Sequence, residues 1–172
     1  LEMAATDEMI RIAGGIVPDL VTFVPENRQE ITTEGGLDVN GNRESLKKAV
    51  AAMRDKGIRT SMFIDPVEGQ IDTSKEIGAD CVEFHTGEYA NAYGSPKAMD
   101  FLRVLEKGAA YAHSNGLEVH AGHGLTYKNI TPVAGITYIH GFYIGHSIMA
   151  RALFVGLDRA VRDMLCLINE KG

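Results

Sequence analysis

His123 stands between two glycines in Ala121-Gly122-His123-Gly124, directly after the apolar run that begins at Leu117. An imidazole titrates near neutrality, so a histidine fixed at a strand end is suited to giving or taking a proton. The flanking glycines uncover backbone amides that an anion can approach closely. The arrangement returns at Ile144-Gly145-His146-Ser147, where a strand ends in Gly-His and a helix starts at once. Two such turns on neighbouring strands would hold one phosphate between amides and a helix N-terminus. Glu83 and His85 lie two apart in a strand-like run and so share a face. A carboxylate turned into a closed site has to be paired, hydrogen-bonded or shifted in pKa, which is what makes catalytic acids and bases. The plainer use of either residue is a structural hydrogen bond to a loop. Glu2 sits at another strand end, where the plainer reading is simple exposure.

Other candidates weigh less. His120 and His123 can be drawn as a metal site with Glu83 or His146, but residues three apart on a strand face opposite ways, and no metal is expected. His113 and His140 lack supporting context and read as surface or packing residues, while Met53, Met99 and Met164 fall on helix faces and are expected to fill core.

Strand ends must converge for these side chains to meet, and the chain alternates in the way that achieves it. Leu1 to Met3 reads as the end of a strand, followed by a short helix with Thr6 as N-cap that stops near Gly14-Gly15. Leu20 to Val24 is a strand, and a long polar loop from Glu26 to Asn42 follows it. Glu44 to Lys56 is an amphipathic helix with Leu46, Ala49, Val50 and Met53 on one face, stopped by Gly57. Ile58 to Ile64 is a strand, Val67 to Ile77 a helix, Cys81 to His85 a strand, and a helix with Pro96 in its first turn runs to Ser114. Leu117 to Ala121 is a strand, Asn129 to Ala134 a weak helix, and Tyr138 to Ile144 the last strand. Two helices, Ser147 to Val155 and Leu157 to Glu170, close the chain.

Strict strand–helix alternation predicts an α/β fold with a parallel sheet and right-handed crossovers. A doubly wound sheet would carry a Gly-rich fingerprint in its first strand-to-helix turn, and none is found. In a (β/α)8 TIM barrel the chemistry lies at the C-terminal strand ends, with phosphate often bound at the last two loops, where the Gly-His-Gly and Gly-His turns fall. The reading is therefore one barrel domain over residues 1–172. Its size, against about 250 residues for the usual barrel, and a first residue that starts inside a strand predict that the first two βα units are absent from the chain.

A formal charge of −6 without any dense Lys/Arg run argues against nucleic acid or an anionic membrane as partner. Cys81 and Cys166 make no disulfide framework, which fits a reducing cytoplasm. The longest apolar stretch, Ile148 to Val155, is broken by Arg151 and too short to span a bilayer.

Six segments in order carry a resemblance: Val24-Pro25-Glu26, Gln29 to Asp38 (Gln-Glu-Ile-Thr-Thr-Glu-Gly-Gly-Leu-Asp), Phe63-Ile64-Asp65, Glu83-Phe84-His85-Thr86-Gly87, Ala121-Gly122-His123-Gly124-Leu125-Thr126-Tyr127 and Ile144-Gly145-His146. Together they resemble the pyridoxine 5'-phosphate synthase (PdxJ) family. The resemblance implies an eight-fold β/α barrel that condenses 3-amino-2-oxopropyl phosphate with 1-deoxy-D-xylulose 5-phosphate into pyridoxine 5'-phosphate, phosphate and water. It implies no metal or organic cofactor, and a homo-oligomer, commonly an octamer. Carried across by position, the general base falls on Glu2, the histidine proton donor on His123 and the transition-state-stabilising carboxylate on Glu83. Thr32 matches a contact to the deoxyxylulose phosphate, and Gly124, Gly145 and His146 match the site for the amino-ketone phosphate. The family's Asn-x-Asp-His segment, substrate-holding arginines and second catalytic histidine, all from its first two strands, have no counterpart in these residues. Gly141-Phe142-Tyr143 stands where the family more often has Glu-Leu-Asn, and His120 where it often has Asn. Two rival readings are a different phosphate-binding barrel, an isomerase or aldolase that would need a strand-end lysine, and a truncated barrel kept for binding or assembly.

Overall fold

The computed structural model describes residues 1–26 and 35–169. Six strands form one parallel sheet whose spatial order is the sequence order: β1 (Glu2–Met3), β2 (Leu20–Phe23), β3 (Arg59–Ile64), β4 (Cys81–His85), β5 (Glu118–Gly122) and β6 (Ile139–Tyr143). Sequential neighbours all the way across, each joined through a helix, curl the sheet as in a barrel wall. The connecting helices are α1 (Asp7–Ile16), α2 (Arg43–Arg54), α3 (Glu68–Glu76), α4 (Gly87–Ala92), α5 (Ala98–Ser114) and α6 (Ile130–Ala134), and α7 (His146–Val155) and α8 (Leu157–Asn169) follow β6.

The strands separate their residues by face with a period of two. Val21, Phe23, Met62, Ile64, Val82, Phe84, Val119 and Ala121 join one apolar core with Leu46, Met53, Ile71, Leu105, Ala109 and Met164 from the helices. The alternate residues form the inner face, and several are buried and polar: Thr22, Ser61, Glu83, His85 and His120. Register stacks them in layers. Thr22 pairs Ser61, Ser61 pairs Cys81 and Cys81 pairs Glu118; one layer up, Phe63 pairs Glu83, Glu83 pairs His120 and His120 pairs Gly141. The top layer pairs His85 with Gly122 and Gly122 with Tyr143, at the C-terminal strand ends.

Most element bounds match the sequence reading, and three points correct it. The first helix ends at Ile16, next to the expected stop near Gly14-Gly15, with Val17 taking the left-handed capping conformation (φ 53°) and its N–H bonding the Ala13 carbonyl. Pro96 lies before α5 rather than in its first turn, within a turn closed by Ala98 N–H donating to the Ser95 carbonyl. The short helix α4 was not expected, since its sequence GEYANA carries no apolar period. Met99 is 55% exposed, whereas Met53 and Met164 are buried as expected. Among the described residues no helix is long and apolar enough to cross a membrane.

Candidate active site

Six of the described residues singled out for the site line one cleft of about 520 Å³, Glu2, Glu83, His123, Gly124, Gly145 and His146, joined by Thr126 and Tyr143. Thr32 lies outside the described residues. The cleft opens at the C-terminal ends of β1, β4, β5 and β6, where parallel strands present their loops.

Glu83 is 2% exposed and lies in the middle layer between Phe63 and His120. Its carboxylate needs the space over Gly122, where a Cβ would stand 2.1 Å from Oε1. Glu2, by contrast, is exposed at the first strand, facing the same way as Thr22 across the register.

His123 adopts φ 69°, a left-handed conformation uncommon for a residue with a side chain, and Gly124 follows at φ 81°. Two buried polar residues hold this turn. The Thr86 hydroxyl donates to the Gly122 carbonyl at 3.0 Å and reaches the His123 carbonyl, while the Thr86 N–H also bonds Gly122. Asn129 donates to the Gly124 carbonyl at 3.1 Å and accepts from Thr126 N–H at 2.6 Å. Opposite, Gly145 is the N-cap of α7 and His146 its first residue. Ser147 Oγ donates to the Leu125 carbonyl at 3.0 Å, which ties the helix start to the histidine turn. The N–H groups of a helix's first turn have no intrahelical partner, so this end of α7 offers donors to an anion.

His85 does not line that cleft. Its ring lies behind His123 with centroids 5.0 Å apart, and its Nδ1 is 3.1 Å from Asp65 Oδ1. That hydrogen bond is the main reason the Asp65 carboxyl sits below its ordinary range. His120 turns inward to Glu118 and Tyr143 rather than pairing with His123. Among the described residues no three histidine, cysteine or acidic side chains stand close enough to hold a metal ion. Burial pushes the Cys81 thiol up to about 12, so it is inert as a nucleophile.

Thr86, Asn129 and Tyr143 were missed as site residues. Thr86 and Asn129 act on backbone carbonyls, and nothing local marks a contact spanning 36 residues such as Thr86 to Gly122.

Fold and cleft together define a barrel-like α/β protein with carboxylates and a histidine converging at the C-terminal strand ends. The chain belongs to the PdxJ family: the family described as "Pyridoxal phosphate biosynthesis protein PdxJ" matches residues 1–170. It is 52% identical over 170 residues to a protein named pyridoxine 5'-phosphate synthase from Thermodesulfovibrio yellowstonii, covering 99% of this chain and 70% of that one. Proteins of the same name from Trichlorobacter lovleyi and Prochlorococcus marinus (strain AS9601) are also 52% identical, over 99% and 98% of this chain and 71% of each relative. Among solved structures, 3-keto-L-gulonate-6-phosphate decarboxylase from Vibrio cholerae is similar in fold with a TM-score of 0.66 at 16% identity, over 99% of this chain and 72% of that one. A GMP reductase from Trypanosoma brucei reaches 0.60 at 12% identity, over 84% and 31% of the two chains.

Proposed function

We propose that this protein is a pyridoxine 5'-phosphate synthase, condensing 3-amino-2-oxopropyl phosphate with 1-deoxy-D-xylulose 5-phosphate to give pyridoxine 5'-phosphate, phosphate and water. The observation that carries this reading is the meeting of Glu2, Glu83, His123, Gly124, Gly145 and His146 in one cleft of a PdxJ-family chain. Amine addition, dehydration and ring closure each move protons, and no single nucleophile suffices. In this reading Glu2 is the general base, its exposure letting it exchange protons with solvent between steps. His123 donates protons to departing hydroxyl oxygens. Glu83, held out of water, stabilises positive charge that develops on the reacting nitrogen. The Gly124 and Gly145 amides, the N-terminus of α7 and His146 hold the amino-ketone phosphate, and Thr32 contacts the deoxyxylulose phosphate. No metal or organic cofactor is required by this sequence of steps.

Among the described residues no lysine lines the cleft, which weighs against a Schiff-base aldolase. The same proposal takes the six strands as the last six of an eight-stranded barrel forming one domain, supported by the curl of the sheet and by the similarity to the Vibrio cholerae decarboxylase. It includes a cytoplasmic location, which the free thiols of Cys81 and Cys166 suit, and assembly into a homo-oligomer. Leu153 and Phe154 of α7, 85% and 89% exposed, are the apolar surface such an assembly would cover. The test is to incubate the protein with both phosphorylated substrates and follow pyridoxine 5'-phosphate and released phosphate. Equimolar formation of both is expected, and release of neither overturns the reading.

A further inference from the structure

On the inner face, a chain of side chains leads from the cleft toward the opposite end of the strands. Tyr143 lines the cleft at the end of β6, and its hydroxyl lies 3.2 Å from His120 Nδ1, the two rings meeting edge to face at 5.5 Å. His120 Nε2 lies 2.9 Å from Glu118 Oε1, two residues back on β5. The other Glu118 oxygen receives Arg59 Nη2 at 2.5 Å. The His120 ring occupies space that only a glycine leaves on the neighbouring strand: a Cβ at Gly141 would stand 2.7 Å from His120 Cδ2. Gly141, His120 and Tyr143 thus form one fitted unit, in which the absence of a side chain on β6 admits a ring from β5 that then meets the next inward-facing residue of β6.

We propose that Tyr143 is a further substrate-contacting residue, its hydroxyl proton committed to His120 by Glu118 so that the phenol oxygen faces the cleft as a hydrogen-bond acceptor for a substrate N–H or O–H. The direction follows from donor and acceptor inventory. Arg59 and His120 hold the Glu118 carboxyl down at about 2, so it stays an anion and accepts only. An anion 2.9 Å away requires a hydrogen on His120 Nε2, and in the tautomer proposed here Nδ1 carries none and accepts. The Tyr143 hydroxyl donates to it, and the oxygen's lone pairs remain for the cleft. Burial, and then the Glu83 charge, push the phenol upward, which keeps its proton in place for that bond. His120 and Glu118 are positioning residues here, acting through the hydroxyl alone.

The substrate contact rests on the synthase reading, so the test has an arm that needs no turnover. In the first arm, Tyr143→Phe, which keeps the ring, is expected to lower kcat/KM about tenfold while Tm stays near that of the unmodified protein. His120→Phe should lose a similar factor, and the double variant no more than either single one, because both remove the same oriented hydroxyl. An unchanged kcat/KM in Tyr143→Phe, or a double variant that loses the product of the two single effects, overturns the proposal. In the second arm, ¹⁵N NMR of labelled histidine at neutral pH should show His120 as the neutral Nε2–H tautomer, with its Nδ1 resonance moving in Tyr143→Phe. A charged imidazolium, or an Nδ1–H tautomer, overturns the proposal whether or not pyridoxine 5'-phosphate is formed. Failure of the unmodified protein to form product overturns the synthase reading instead.

Discussion

The two walls of the cleft are built differently. On the β4–β5 wall, Glu83 is sealed from water and His123 is held in an unfavourable backbone conformation by Thr86 and by the Asn129-pinned loop. On the β1–α7 wall, Glu2, Gly145 and His146 are all exposed, and Ser147 ties the start of α7 to the histidine turn. Glu83, expected to meet developing charge, is dry, where electrostatic stabilisation is largest. Glu2, expected to exchange protons, and the Gly145-His146 turn, expected to seize a phosphate, are open, where ligands can enter.

The largest break in that contrast comes from the rigid wall. His123→Ala is expected to lower kcat by about 10³-fold, within the usual range for a lost acid–base group. Phosphorylated-substrate affinity, measured by calorimetry, should change little, because backbone amides, the α7 N-terminus and His146 hold the phosphate rather than the His123 ring. Gly122→Ala brings a methyl group against the Glu83 carboxylate and should cost about 10²-fold in kcat through displacement alone. Glu83→Gln should match it in steady-state assays, and a normal rate for either variant would dissolve the distinction between walls.

Removing a brace should act on both stability and rate. Thr86→Val leaves the Gly122 and His123 carbonyls short of a partner and should cost about 1–3 kcal/mol, read as a fall in Tm of several degrees. On the open wall, Glu2→Gln should lower turnover while thermal unfolding stays within about 0.5 kcal/mol of the unmodified protein. The smallest effect lies at the far end of the strands. Glu118 is depressed from 4.5 to about 2, so its contribution is present above 4.5 and is lost as pH falls toward 2. Its side chain is 38% exposed, so solvent screening holds the effect to about 1 kcal/mol. Glu118→Gln should therefore melt a few degrees lower at pH 7, with the gap closing across that acidic window in calorimetry.

Much of the fold was legible because each strand is an apolar run followed by a helix with a clear stop. Gly57 follows a helix end with positive φ, as its position suggested, and Gly78 and Gly116 do the same. The stop near Gly14-Gly15 was legible too, although Val17 rather than either glycine takes the capping conformation. The site was legible where glycine and histidine adjoin at strand ends, and where Glu83 and His85 alternate on one face. His85 shows the limit of that reasoning: sharing a face with Glu83 did not bring it into the cleft, since its ring packs behind His123. The Thr86 brace was not legible, because it works through carbonyls of the neighbouring strand's end, 36 residues away, whose proximity only the folded sheet creates.

The left-handed turn at His123 carries an evolutionary consequence. Glycine would sit there without the penalty that a side chain meets, so His123→Gly should make the protein more robust to heat while disarming it. Drift toward robustness alone would erase this histidine, and its persistence in any descendant chain would be a signature of retained chemistry.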